Sequence, residues 1–346
     1  MGCHWLTAVL VCALSACGAG TPVGSATTRP PPSSSLVPAP TLAAEPRVRL
    51  TVVGDLMLTR GVPDAAAALA PMRARLAGAD ITVGNLESTL SKAGSPTQGG
   101  DSFGAGPEVL RPLREAGFDA ISLANNHTGD FGDRALTETV EASSGAGIVP
   151  FGAGRDLVAA ARPAVLERAG ITFAFLGFNA IGETPRATRS DPGAFSVRMP
   201  PRTGPLVDAD LRRVEREVRA AEKVADVVVV LPHWGTQYTH RPEAVQRHVA
   251  RRLVAAGADL VAGGHPHWVQ PLERVGGVPV IHSLGNFVFD MDFMSQTMEG
   301  VVLEATFRGA TLEDLNLVPY RMDPETFAPR VVGGREAARI LGQARP

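Results

Sequence analysis

Seven short apolar runs punctuate the chain: RVRLTVVG (47–54), ADITVG (79–84), DAISLA (119–124), ITFAFLGF (171–178), ADVVVVLP (225–232), ADLVAGG (258–264) and VPVIHSLG (278–285). Each is too short for a globular helix and too continuously apolar for a strand with one wet face, so each reads as a strand buried on both sides. Helical patterns over 64–77, 107–117, 133–146, 205–224 and 242–256 lie between them. Strands alternating with helices argue for an α/β architecture in which helices cover buried strands. A composition that is 45% hydrophobic supports a core of that size. After residue 298 no helix is expected. The stretch GVVLEATFRGATLEDLNLVPY reads as a hairpin at the sheet edge. The folded domain is placed at 47–320 and a C-terminal tail at 321–346, with no internal repeat.

The formal net charge is −2 and no basic block interrupts the chain, which gives no reason to expect a nucleic-acid partner. The N-terminal HWLTAVLVCALSAC (4–17) is apolar, of signal-peptide length and too short to span a bilayer. The three cysteines, Cys3, Cys12 and Cys17, all fall within 1–17, so the exported domain contains no disulfide and is held by its core. Residues 18–46 are rich in Pro, Ser, Thr, Gly and Ala and read as a disordered tether. Leu14-Ser15-Ala16-Cys17 resembles the lipobox of bacterial lipoproteins. That resemblance implies lipid on Cys17 and a domain anchored to the outer face of the cell membrane. An n-region with no Lys or Arg departs from the usual signal.

In open α/β sheets ligands gather beyond the carboxyl ends of the strands. The residues there are Asp55 in VVGDLMLTRG, Asn85 and Glu87 in VGNLEST, and Asn125, Asn126 and His127 in LANNHTGDFG. They continue with His233 in LPHWGTQ, His265 and His267 in GGHPHW, and Asn286 in SLGNFVFD. Taken one at a time, Asp55 reads as a turn cap, Glu87 as a loop carboxylate and Asn126-His127 as turn residues. Taken together, four of the eight histidines and two carboxylates occupy equivalent positions in different units. Carboxylate, amide oxygen and imidazole without thiolate suit a divalent Mn, Fe or Zn ion, and a shared carboxylate can bridge two ions. Of the remaining histidines, His240 and His248 read as solvated and His282 as core. Trp234 and Trp268 read as packing beside the site.

The order Asp, Asn-x-Glu, Asn-His, His and Gly-x-His-x-His resembles the calcineurin-like metallophosphoesterase superfamily. Within it, GDLMLTRG, GNLESTL, LANNHTGDFG, VVVLPHWGTQY, AGGHPHWVQPLE and SLGNFVFD are similar to the CapA, or poly-γ-glutamate capsule biosynthesis, family over about 48–293. The resemblance implies a layered α/β sandwich with active-site loops at the strand carboxyl ends, and one or two divalent ions. It places one ion with Asp55, Glu87 and His267, and the other with Glu87, Asn126, His233 and His265. It makes His127 the proton donor facing substrate. Arg60, Asn85, Asn125, Asn286 and Asp290, in the same motifs, become candidates for supporting the ligands or meeting substrate. The phosphoesterases carry Asp-x-His at the first strand, where this chain has Met57, and a bridging Asp where it has Glu87. Three functions follow as expectations: support of anionic polymer synthesis, export or anchoring beside a membrane-bound synthase or export complex; secreted phosphoester hydrolysis; or metal-dependent polymer binding.

Overall fold

In the computed structural model, which describes residues 45–346, all seven apolar runs are strands. Fourteen strands make up two sheets. The first contains β1 (Arg47–Leu56), β2 (Ile81–Leu86), β3 (Ala120–Ser122), β4 (Val149–Phe151), β11 (Asn286–Val288), β12 (Glu299–Arg308), β13 (Thr311–Met322) and β14 (Pro329–Val331). Its order is β14-β13-β12-β1-β2-β3-β4, with β11 pairing the end of β1. The second contains β5 (Ala164–Arg168), β6 (Ile171–Asn179), β7 (Val227–His233), β8 (Leu260–Ala262), β9 (Val269–Val275) and β10 (Val278–Leu284), in the order β9-β10-β8-β7-β6-β5. The β1–β4 and β6–β7–β8–β10 neighbours are parallel, and the flanking strands pair antiparallel.

Strand periodicity builds the layers. Along β7, Val227, Val229 and Leu231 join Val48, Leu50, Val52, Phe173 and Phe175 in a core between the sheets. The intervening Val228 and Val230 turn the other way, onto Leu211, Val218, Val249 and Leu253 of the helices Asp208–Ala221 and Ala244–Ala255. On the far side of the first sheet, Leu69, Met72, Leu113 and Leu136 pack over Leu86 and Phe118. Helix, sheet, sheet and helix therefore stack as four layers, and the α/β sandwich holds. Both faces of the central strands are covered, which is why the sequence carries unbroken apolar runs there.

The helical patterns hold with shorter bounds. Pro71 divides 64–77 into Ala65–Leu69, a 3-10 turn at Ala70–Met72 and Arg73–Leu76, because proline cannot donate to the preceding turn. Beyond residue 298 the expected hairpin forms, but not at the edge: β12 pairs with β1 and β14 covers β13. The absence of a further helix is corrected too, since Gly334–Gln343 is an α-helix with Ile340 buried against the inter-sheet core. Arg339 of this helix clamps the buried carboxylate of Glu299 through both oxygens. Residues 321–346 are thus packed strand and helix. Their apolar content is concentrated on one helical face, which a search for continuous runs does not register. Cys17, the signal segment and the tether up to residue 44 lie outside the described residues. No helix among the described residues is long and apolar enough to cross a membrane.

Candidate metal centre

Asp55 is the penultimate residue of β1 and follows a break in register between Val52 and Asp55 against β2. Gly54 lets the chain pass close to the turn at Gly285: a Cβ there would sit 1.9 Å from the carbonyl oxygen of Gly285. The Asp55 carboxylate is fully buried and held at both oxygens, Oδ1 accepting from Asn85 Nδ2 (2.8 Å) and Oδ2 from the His265 backbone N–H (3.0 Å). Gly264 clears the space beside it, since a Cβ there would approach Oδ1 to 2.5 Å. Asn85 in turn accepts from Asn125 Nδ2 (3.0 Å), and Asn125 Oδ1 accepts from the backbone N–H groups of His127 and Thr128 (3.0 Å each). Asn85 and Asn125 therefore hold the ligand loops together.

Glu87 follows β2, its backbone N–H donating to Leu56 O (2.7 Å). Its side chain is fully buried, and neither carboxylate oxygen has a hydrogen-bond partner among the described residues. A buried carboxylate left this way is costly unless a cation or proton satisfies it. Burial, and then the neighbouring Asp55, push the Glu87 carboxyl up to about 8, and burial raises Asp55 as well.

The histidines close the cluster. His233 ends β7, and burial drives its imidazole down to about 4; His265 and His267 are lowered for the same reason. Imidazoles held neutral are the form that binds a metal. His265 and His267 have φ of 91° and 58°, left-handed values that are strained for residues with a Cβ and that collect at functional sites. Asn286 Nδ2 donates to Thr297 O (3.0 Å), so its Oδ1 faces His267 Nδ1 (2.8 Å) and leaves Nε2 as the free nitrogen. His265 Nδ1 is buried without a partner among the described residues.

Two groups emerge, Glu87 with His233 and His265, and Asp55 with Glu87 and His267, each offering ligand atoms within 4.8 Å of one another. Asn126 joins the first, its Oδ1 lying 2.8 Å from His233 Nε2. Glu87 belongs to both. The donor set and the orphaned oxygens fit one or two divalent ions, with hard and borderline ligands and no thiolate. Met57 is fully buried among apolar side chains, and its thioether is too soft a donor for a hard ion, so the Asp55 group gains no fourth ligand where the phosphoesterases have a His.

His127 stands at the edge of this cluster, Nε2 3.9 Å from Glu87 Oε1 and Nδ1 2.7 Å from Asp130 Oδ2. Its ring stacks on Phe103 at 3.7 Å. Burial lowers the imidazole, but the hydrogen bond to Asp130 and the charge of Glu87 outweigh it and the net shift is upward. Arg60 lies over the other part of this stack, 4.2 Å from the Phe103 centroid, and is ion-paired with Asp290. Neither residue belongs to the two ligand groups or lines the cleft beside His127. A cleft of about 230 Å³ opens above His127 and His267, lined also by Gln98, Glu183, Arg202 and Tyr238.

Asp130, Phe103, Glu183 and Arg202 were not singled out by the sequence. Asp130 carried a signal, standing three residues after His127, whereas Glu183 and Arg202 sit in turns with no motif. His282 is buried in β10, 3.1 Å from Glu273, and His248 is exposed, as their sequence contexts imply. His240 is half-buried, bonded to Val269 O (2.7 Å) and packed on Trp268. The polarity of its neighbours concealed that contact. Trp234 is fully buried and donates to His282 O.

Layered α/β architecture with this mixed donor cluster at the strand tips defines a metallophosphoesterase-like protein. The family model described as bacterial capsule synthesis protein PGA_cap matches residues 49–291, and the chain belongs to that family. It is 30% identical over 308 residues to the capsule biosynthesis protein CapA of Bacillus anthracis, covering 86% of this chain and 72% of that one. It is also 30% identical over 224 residues to the PGA biosynthesis protein CapA of Bacillus subtilis (strain 168), covering 64% and 56%. A probable polyglutamine synthesis accessory protein of Mycobacterium tuberculosis is 32% identical over 219 residues, covering 62% and 56%. The matched region thus spans little more than half the length of these last two relatives.

Proposed function

We propose that this protein takes part in making a capsule-type poly-γ-glutamate polymer at the bacterial cell envelope, through a metal-dependent cleft of the phosphoesterase kind. The names of the Bacillus and Mycobacterium relatives support the polymer, and the family supports the divalent metal. The observation that carries the cleft is Glu87, a fully buried carboxylate common to both ligand groups with both oxygens unpartnered among the described residues. Glu87, Asn126, His233 and His265 would hold one ion, and Asp55, Glu87 and His267 a second. When bound, the ions supply Lewis-acid charge for an attacking oxygen and for the oxygens of a phosphoryl group.

The chain's own residues supply the rest. Asp130 and Phe103 fix the His127 ring with Nε2 toward the cleft, and the hydrogen bond to Asp130 favours the protonated imidazole. A protonated imidazole there donates to a leaving oxygen. Because Met57 lies in the core and the Asp55 group has only three donors, a non-catalytic reading in which the same cleft holds polymer carboxylates is the second one.

One substitution separates the two. His127→Ala is expected to retain metal while lowering phosphoester turnover by roughly 10²–10⁴-fold, with a smaller loss for nitrophenyl esters, whose leaving group needs no proton. Wild-type turnover and polymer yield in that variant would sink the catalytic reading and favour polymer binding. Lipid anchoring at Cys17 belongs to the same proposal, since it places the cleft beside a membrane-bound synthase or export complex. Cys17→Ser should release the protein from the membrane fraction; unchanged fractionation and processing would remove the anchor.

A further inference from the structure

The Asn126 amide can serve a cation only with its oxygen facing inward, and its orientation is set from outside the ligand cluster. Asn126 Nδ2 donates to Glu183 Oε2 at 2.7 Å. A carboxylate accepts and does not donate, so the nitrogen must face Glu183 and the oxygen must face His233. Glu183 is held for this task. It has a φ of 62°, strained for a residue with a Cβ. Its turn is stapled to the Asn-His loop on both sides, by Asn179 Nδ2 donating to Asn125 O (3.1 Å) and by the Gly129 N–H donating to Thr184 Oγ1 (3.0 Å). The other Glu183 oxygen is ion-paired with Arg202 Nη2. Arg202 is about half exposed (47%) and lines the same cleft as His127. A guanidinium has five N–H donors, and Glu183 is its one hydrogen-bond partner among the described residues.

We propose that Glu183 and Arg202 act as a pair: Glu183 positions the Asn126 amide for the metal, and Arg202 braces Glu183 while presenting its remaining donors to an oxyanion of the substrate. This rests on the metal-cleft reading and adds to it a positioning residue and a specificity residue. The substrate would carry an anionic group, carboxylate or phosphate, within reach of Arg202 when its reacting centre is over His127. Guanidinium is suited to either through paired N–H donors.

Metal affinity tests the first half, by competition of Mn²⁺ with a chromophoric chelator on the full chain. Glu183→Ala is expected to weaken Mn²⁺ binding by about 10–100-fold, the usual effect of removing a group that orients a ligand. Glu183→Gln, whose amide oxygen can still accept from Asn126, should recover most of that loss. Equal Mn²⁺ affinity in wild type and Glu183→Ala overturns the positioning role, as does failure of the Gln variant to recover. Calorimetry of the Mn²⁺-loaded protein with inorganic phosphate and with γ-glutamyl-glutamate tests the second half. Arg202→Met should keep wild-type Mn²⁺ affinity to within a few-fold and lose about tenfold in affinity for one probe, which identifies the oxyanion. Unchanged binding of both probes, or no binding of either by wild type, overturns the specificity role. If wild type itself binds no Mn²⁺, the metal-cleft reading fails first; if it binds and only the Glu183 comparison is flat, this inference alone fails.

Discussion

Glu87 concentrates the site's electrostatics in one side chain, and its titration makes a sharp statement about stability. In protein stripped of metal its carboxyl is raised from 4.5 to about 8. The folded state then holds the proton more tightly than the unfolded chain does. Its contribution to stability is therefore complete below pH 4.5 and is lost as pH rises through about 8. His233, lowered from 6.5 to about 4, has the opposite sign: its contribution is complete above 6.5 and lost as pH falls through about 4. Between pH 6.5 and 8 Glu87 dominates, joined by the raised His127 with the same sign. Scanning calorimetry of chelator-treated protein should show Tm falling across this window. Excess Mn²⁺ should reverse the slope, because the ion replaces the proton and binds better as protons leave. A metal-free Tm that rises from pH 6.5 to 8 would contradict the assignment. At this scale the sequence was informative for ligands, since Asp55, Glu87, His233, His265 and His267 each stand at a strand tip. It was silent on what orients them, because Glu183 and Arg202 come from turns whose approach to Asn126 is set by tertiary packing.

The strands were legible because burial on both faces leaves continuous apolar runs, as in Val227–His233. Elements with one wet face were not. β5, β9 and β14 each carry exposed or half-exposed residues, and the last helix mixes Arg and Glu with Ile340 and Leu341. That helix is expected to be integral to the domain. Its removal would expose the seat of Ile340 and strip Arg339 from Glu299, which is fully buried and would keep only Arg321 as a cationic partner. Breaking a buried ion pair from one side costs about 3–5 kcal/mol, reduced here by the remaining arginine. A chain ending at Val332 should therefore lose on the order of 2–5 kcal/mol in urea unfolding, against a threshold of marginal stability. Denaturation of the truncated chain at the wild-type urea midpoint would show residues 333–346 to be an appendage.

At the scale of the whole molecule, two sheets pressed face to face bring the carboxyl ends of β1, β2, β7 and β8 to one end of the sandwich. Donors separated by up to 212 residues, Asp55 and His267, thereby share one buried cluster. The order of motifs made the family legible, but the meeting of two sheets at a single carboxylate is a property of topology that no local pattern encodes. The central claim is that Glu87 serves a cation. Elemental analysis with chelator competition, on wild type and on Glu87→Gln after equal reconstitution with Mn²⁺ or Zn²⁺, tests it most directly. Wild type should take up at least one ion per chain, and the variant should bind with an affinity lower by at least about 100-fold, since both ligand groups lose the negative charge and the second oxygen of their shared carboxylate and the upper range for orienting groups is already of that size. Wild type that takes up no ion, or a Glu87→Gln variant that binds as much and as tightly, would contradict it.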